Sequence, residues 1–149
     1  MNAKIKKMLK AIDSEEKAFG DSIYNTCSDK DIAFFKAWIS QQFPIYKRKL
    51  RDYIKFSRVA NALNFDGLFV YGITKSDEHS GIIYMNEVWR HNEYMEQYLF
   101  FGHDDISWYC IELHTGNYTS LDLPSGDFVE KFKTFDKMLE EMLGSRIEE

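Results

Sequence analysis

Apolar positions recur at helical intervals in the first part of the chain and at strand intervals later, so the pattern predicts a helical front and a sheet-forming rear. Ile5, Met8, Leu9 and Ile12 follow the i, i+3, i+4, i+7 spacing of one helix face, with Gly20 as a stop. A second helix begins after Ser28, whose spacing to Asp31 fits a capping box, and ends near Gln42. It places Ile32, Phe35 and Ile39 on one face with Phe34 and Trp38 beside them. Pro44 fixes its own φ and lacks an N–H, which suits the first position of a third helix with the stripe Tyr46, Leu50, Tyr53 and Ile54.

The character changes at Asp66-Gly67, a turn dipeptide followed by the buried-strand run Leu68-Phe69-Val70-Tyr71-Gly72-Ile73. Residues 75–81 read as a polar loop and 81–85 as a second strand, after which Asn86 caps a short helix carrying Val88 and Trp89. Residues 98–101 form a strand that leads into Gly102-His103-Asp104-Asp105. The next run, 107–114, alternates with Tyr109, Ile111 and Leu113 on one side and Trp108 and Cys110 on the other. Thr115-Gly116-Asn117 is hairpin chemistry before a strand at 118–123. Phe128, Phe132, Phe135, Leu139 and Met142 are spaced as a closing helix, with Gly144 as its C-terminal stop. Helices, a meander of strands and a closing helix predict an α+β fold, with no repeat or linker to divide it.

The 149 residues are the size of one domain, and 44% hydrophobic with 16% aromatic content supports a packed core, which excludes disordered, collagenous and low-complexity classes. Two cysteines, Cys27 and Cys110, are too few for a disulfide-stapled scaffold and too far apart for a paired metal or redox motif, which fits a reducing cytoplasm. No apolar run reaches the roughly 18 residues of a membrane span, and Lys4, Lys6, Lys7 and Lys10 lead into an amphipathic pattern rather than a signal-peptide core.

Charge adds a second division. Residues 1–60 hold 13 Lys/Arg against 7 Asp/Glu, a balance of +6, whereas residues 61–149 hold 6 against 17, a balance of −11. An acidic rear opposes nucleic-acid binding and steers a basic partner inward. The front carries Lys47, Arg48, Lys49, Arg51, Lys55 and Arg58 with only Asp52 interposed; this face reads as a solvated helix surface, or as a phosphate or membrane contact. The acidic half can supply it with partners inside the molecule.

Candidate chemistry is sparse. Neither His79, His91, His103 nor His114 stands at the i, i+4 spacing of a helical metal pair. His103 beside Asp104 and Asp105 is the best cation-binding or proton-moving group, against the alternative of a tight acidic turn. Cys27 and Cys110 read as inert space-fillers, and Gly67 and Gly72 make no phosphate-binding fingerprint. Trp38, Trp89 and Trp108 are core residues or interface anchors.

Taken in order, the elements resemble the SUKH superfamily, the domain of the fungal Smi/Knr cell-wall regulators, and in particular its bacterial YrhA-like branch. The resemblance rests on Phe43-Pro44 followed by Tyr46 and Leu50, and on Ala60-Asn61-Ala62-Leu63-Asn64-Phe65-Asp66-Gly67 running into Leu68-Phe69-Val70-Tyr71-Gly72. It continues through Tyr98-Leu99-Phe100-Phe101-Gly102, Trp108-Tyr109-Cys110-Ile111, Thr115-Gly116-Asn117-Tyr118 and Phe135-Asp136-Lys137-Met138-Leu139-Glu140. Asn61-Ala62 stands where the family often has Asn-Gly. The match covers residues 43–143 of a single 1–149 domain, with residues 1–42 as an N-terminal helical extension.

The resemblance implies N-terminal helices, a mainly antiparallel sheet of five to six strands, a short inserted helix, and a C-terminal helix packed on the sheet. It also implies a non-catalytic cytoplasmic immunity protein with no cofactor or metal, which binds the C-terminal domain of a polymorphic or contact-dependent bacterial toxin. Together with the acidic rear, it points to a basic, nuclease-type toxin. It supplies no contact residues. Charge and loop position nominate Asp77, Glu78, Asp104 and Asp105, with Trp89 and Trp108 as anchors. A monomer without direct nucleic-acid or membrane contact is the expectation, although an edge strand can pair a homodimer. Two rival readings are an interaction module of envelope or stress regulation, and a metal-dependent enzyme centred on His103, Asp104 and Asp105.

Overall fold

The computed structural model describes residues 1–74 and 80–147. Helix α1 (Ala3–Lys17) starts on Asn2, whose side chain accepts from the Ile5 N–H at 2.9 Å, and buries Ile5, Leu9 and Ile12. Helix α2 (Asp29–Gln42) starts on Ser28, whose Oγ accepts the Asp31 N–H at 3.0 Å as the spacing requires, and buries Ile32, Phe35 and Ile39.

The expected third helix is broken. Pro44–Tyr46 is a 3-10 turn, further i→i−3 bonds from Lys49 and Arg51 follow, and α3 spans Arg51–Ser57. Tertiary bonds explain the tightening: the Tyr46 hydroxyl donates to the Leu113 carbonyl, and the Tyr118 hydroxyl donates to the Lys49 carbonyl at 2.9 Å. Lys49 thereby satisfies its acceptor without a continuous α ladder.

Strands β1 (Asn64–Phe65) and β2 (Leu68–Val70) form a hairpin on Asp66 (φ 49°) and Gly67 (φ 80°), the two positive φ values that a two-residue type I′ turn needs. Residues 81–85 are not a strand. They open helix α4 (Ile82–Trp89), and Asn86 lies within it rather than capping it. Ile82, Met85, Asn86 and Trp89 stand at i, i+3, i+4, i+7, a helical stripe that packing against the sheet rewards over the local β propensity of Ile82-Ile83-Tyr84. The buried Asn86 amide accepts from the Phe100 N–H at 2.8 Å and donates to the Phe100 carbonyl at 2.9 Å and the Ile82 carbonyl at 2.8 Å. It occupies the place a strand neighbour would take where β2 has already ended.

Strands β3 (Tyr98–His103), β4 (Ser107–Glu112), β5 (Tyr118–Asp122) and β6 (Phe128–Phe132) complete a six-stranded antiparallel meander, each strand beside its sequence neighbour. Residues 128–132 were expected in the closing helix. Phe128 continues the helical spacing of Phe132 and Phe135, but a register shift opposite Ser120 and Leu121 puts Phe128 and Phe132 on opposite faces of β6, Phe128 exposed and Phe132 buried. Helix α5 (Phe135–Gly144) begins on Thr134, whose Oγ1 accepts the Lys137 N–H at 3.1 Å, and buries Phe135, Met138, Leu139, Met142 and Leu143. It packs on the sheet and against α1. The result is the expected α+β architecture, with the N-terminal helices and α5 on one face of the sheet and α4 on the other.

A bulge between Phe100 and Gly102 decides which side chains share a face. Phe100 pairs with Cys110, Gly102 with Tyr109 and His103 with Trp108, so Phe101 is the extra residue. Phe101 meets Phe135 of α5 at 5.5 Å, while Phe100 meets Trp108 at 6.0 Å on the α4 side. Gly102 must be glycine: a Cβ there would lie 2.4 Å from the Phe69 carbonyl oxygen and 2.7 Å from Met142 Cε.

Ala62 sits at φ 54°, in the left-handed region, with its Cβ against Gly72. Ala62→Gly is expected to raise stability by about 1 kcal/mol in urea unfolding, because only the alanine pays the left-handed steric cost. Asn86→Ala is expected to lower it by about 3 kcal/mol, because both backbone groups of Phe100 lose their buried partner.

Candidate functional site

Because of the bulge, His103 joins the α4 face of the sheet. The Trp89 Nε1–H donates to the Tyr71 hydroxyl oxygen at 2.7 Å, and Tyr71 lies 2.5 Å from His103 Nδ1. Indole only donates, so the Tyr71 oxygen accepts from Trp89 while the hydroxyl shares a hydrogen bond with Nδ1. Phe69 stacks on the imidazole at 5.0 Å and Trp89 meets it edge-on at 5.5 Å. Desolvation draws the His103 pKa below its ordinary value, with Asp104 opposing it, and burial raises the Tyr71 phenol against the donation from Trp89.

Trp89 also meets Trp108 edge-on at 5.4 Å. The two indoles head a groove of about 810 Å³, whose other walls are Tyr94 and Met95 after α4 and Leu123 and Pro124 in the turn between β5 and β6. The Tyr94 hydroxyl donates to the Gly126 carbonyl at 2.6 Å and ties the walls together. Glu93, exposed, lines the groove, and Asp127, also exposed, follows the Leu123–Ser125 wall by two residues in sequence. The expected anchors are therefore together, though not as exposed rings: Trp89 is half-buried and Trp108 is only 6% exposed. The Trp108 Nε1–H is buried without a hydrogen-bond partner.

The acidic turn is built differently from its expected role. Asp104 is 3% exposed and accepts from the Ile106 N–H at 3.0 Å and the Ser107 N–H at 2.8 Å. Its other oxygen lies 2.9 Å from Arg146 Nη2. Asp104 is thus an internal staple and not an exposed docking acid, because its backbone bonds pull the carboxylate inward. Asp105 remains exposed, 3.4 Å from the same guanidinium. Arg146 also donates to the Asp66 carbonyl at 3.0 Å, so one cation beyond α5 clips two hairpin turns. Asp77 and Glu78, the remaining expected acids, lie outside the described residues.

These contacts also bear on the chemistry weighed for His103, Asp104 and Asp105. Among the described residues no group of three or more His, Cys, Asp or Glu side chains is placed to hold a metal ion. The thiols are buried as expected: desolvation raises Cys27 and pushes Cys110 up to about 12, with the Thr119 hydroxyl 3.3 Å from its Sγ. Sequence reasoning missed Tyr71, Glu93, Tyr94 and Arg146. Tyr71 was hidden in an apolar run, and Arg146 carried a signal only as a lone cation in the acidic tail.

A scan of the chain against protein-family models finds no match, and a search of curated proteins finds none either.

The His103 site carries a pH signature. With its folded pKa depressed, neutral His103 gives full stability above its unfolded value near 6.5, and this is lost as pH falls through the folded value. The melting temperature is expected to drop between neutral pH and about pH 5. In His103→Gln, which keeps a hydrogen-bonding side chain beside Tyr71, that drop becomes shallower.

Proposed function

We propose that this chain is a non-catalytic immunity protein of SUKH-like type, working in the bacterial cytoplasm by binding a basic toxin domain through the Trp89–Trp108 groove. The observation that carries this reading is the groove itself. An aromatic centre with an acid beside it has the composition of a protein-binding hot spot, with the indoles as its apolar walls, Glu93 to pair with a cation, and the exposed Asp127 near in sequence to the opposite wall. The −11 balance of residues 61–149 favours fast encounter with a basic partner.

Two further observations support it. The side chains best suited to chemistry are spent on structure: His103 is hydrogen-bonded to Tyr71, Asp104 is held by Arg146 and two backbone N–H groups, and Cys110 is a buried thiol. Asn61-Ala62 departs from the family's Asn-Gly in residue type only, since Ala62 takes a φ of 54° that glycine adopts freely.

The test begins with the tagged protein purified from its host at low salt and identification of what co-purifies stoichiometrically. The expected result is one basic polypeptide that poisons cells when expressed alone and not when co-expressed with this chain. Glu93→Lys combined with Asp127→Lys is expected to slow association about tenfold at low salt without moving the melting temperature. A partner whose toxicity the chain does not relieve overturns the reading. Several envelope or signalling proteins in its place would establish the interaction module instead.

A further inference from the structure

The basic face of the front half is not used by the groove and lies on different elements. Between α2 and α3 the surface opens into a pocket of about 350 Å³ walled by Phe35, Ile39, Leu50 and Ile54, with Lys36 and Lys47 also lining it. Ile45 stands 82% exposed in the 3-10 turn that leads into it. Lys36, Lys47, Arg48, Lys49, Arg51, Lys55 and Arg58 are all exposed.

The expected intramolecular neutralisation by the acidic rear is largely missing. Among the described residues, the ion pair these seven cations make is Arg58 with Asp29, an acid of the front half, at 3.2 Å. Lys49 lies over the Tyr118 ring at 5.3 Å, and Lys55 acts electrostatically on Asp136 beside Asp52. Lys36 and Lys47 line the apolar hollow, and Arg48 and Arg51, exposed, lie beside Lys47 and Leu50 in sequence.

We propose that this pocket is a second docking site, for an acidic protein segment that seats an apolar side chain in the hollow while its carboxylates meet Lys36, Lys47, Arg48 and Arg51. Charge complementarity sets the sign of the occupant, and the concave shape sets its kind. A lipid surface would meet Ile45 and the cations but leave the hollow between Phe35 and Ile54 unfilled, whereas an amphipathic helix laid in a groove fills it with a projecting side chain. The protein is then two-sided, an acidic face for a basic partner and a basic face for an acidic one, and this site stands whether or not the first partner is a toxin.

The test uses the full chain and a fluorescein-labelled peptide carrying Leu on one helical face and Glu on the other, read by fluorescence anisotropy. Controls are the same peptide with Gln for Glu, and vesicles of phosphatidylserine with phosphatidylcholine. The expected result is binding of the acidic peptide that weakens with salt, is absent for the Gln peptide, and falls at least about tenfold in Lys36→Glu combined with Lys47→Glu. Ala37→Trp obstructs the mouth of the hollow without changing charge and is expected to weaken binding as well; unchanged thermal unfolding of each variant shows that the fold persists. Vesicle binding without peptide binding overturns the proposal in favour of a membrane surface. Binding of neither probe, or peptide binding indifferent to both variants, also overturns it.

Discussion

Tyr53 is the side chain on which the layers converge. Its ring, fully buried, lies 5.6 Å from Phe35 of α2, 5.2 Å from Phe101 of β3 and 5.9 Å from Phe135 of α5, and its hydroxyl donates to the Tyr71 carbonyl at 2.5 Å just past β2. Packing of this kind is tolerable for a phenol only because the hydroxyl has an acceptor; otherwise the buried polar group would cost about 1–3 kcal/mol. The bond fixes where the chain leaves β2. That exit in turn presents the Tyr71 side chain to the opposite face of the sheet, where His103 and Trp89 receive it. The helical layer and the candidate site are thus coupled through the backbone and side chain of one residue.

The second constraint is the bulge at Phe101. Without it, the regular alternation of β3 would put His103 on the side of Phe101, against α5, and leave Gly102 facing α4. With it, the sheet supplies Phe101 to the Tyr53 cluster and still returns His103 to Trp108 and Trp89. Gly102 permits this because β2 and Met142 close over it from both sides. A single irregular residue therefore separates the face that gives stability from the face that carries the groove.

These features differ in how far they can be read from sequence. Ser28, the Asp66-Gly67 turn and the Thr115-Gly116-Asn117 turn act on residues within three positions, so local chemistry was sufficient to place α2, the turn before β2 and the hairpin between β4 and β5. Residues 82–86 and 128–132 fold against their local signals: β-branched residues sit in α4, and Phe128 continues the helical spacing of Phe132 and Phe135 although 128–132 is a strand with a register shift. Trp89 and Trp108 were legible as candidate anchors, but their mutual contact was not, since it depends on where α4 packs on the sheet. Asp104 was legible as a turn acid while its burial was not, because Arg146, 42 positions away, is what makes burial tolerable.

The pairing of α1 with α5 has a consequence for synthesis. Asn2 and Lys4 reach Glu140 at 3.3 and 3.4 Å, and the stripe Ile5, Leu9 and Ile12 lies under the helix that follows every strand in the chain. On the ribosome α1 emerges before the meander and waits for a partner that is made after it. The meander can zip in order as it emerges, each strand beside the one before it. The core, however, stays open along one side until α5 is released, so a nascent chain halted before residue 135 exposes an uncovered apolar helix to the chaperones of the cell.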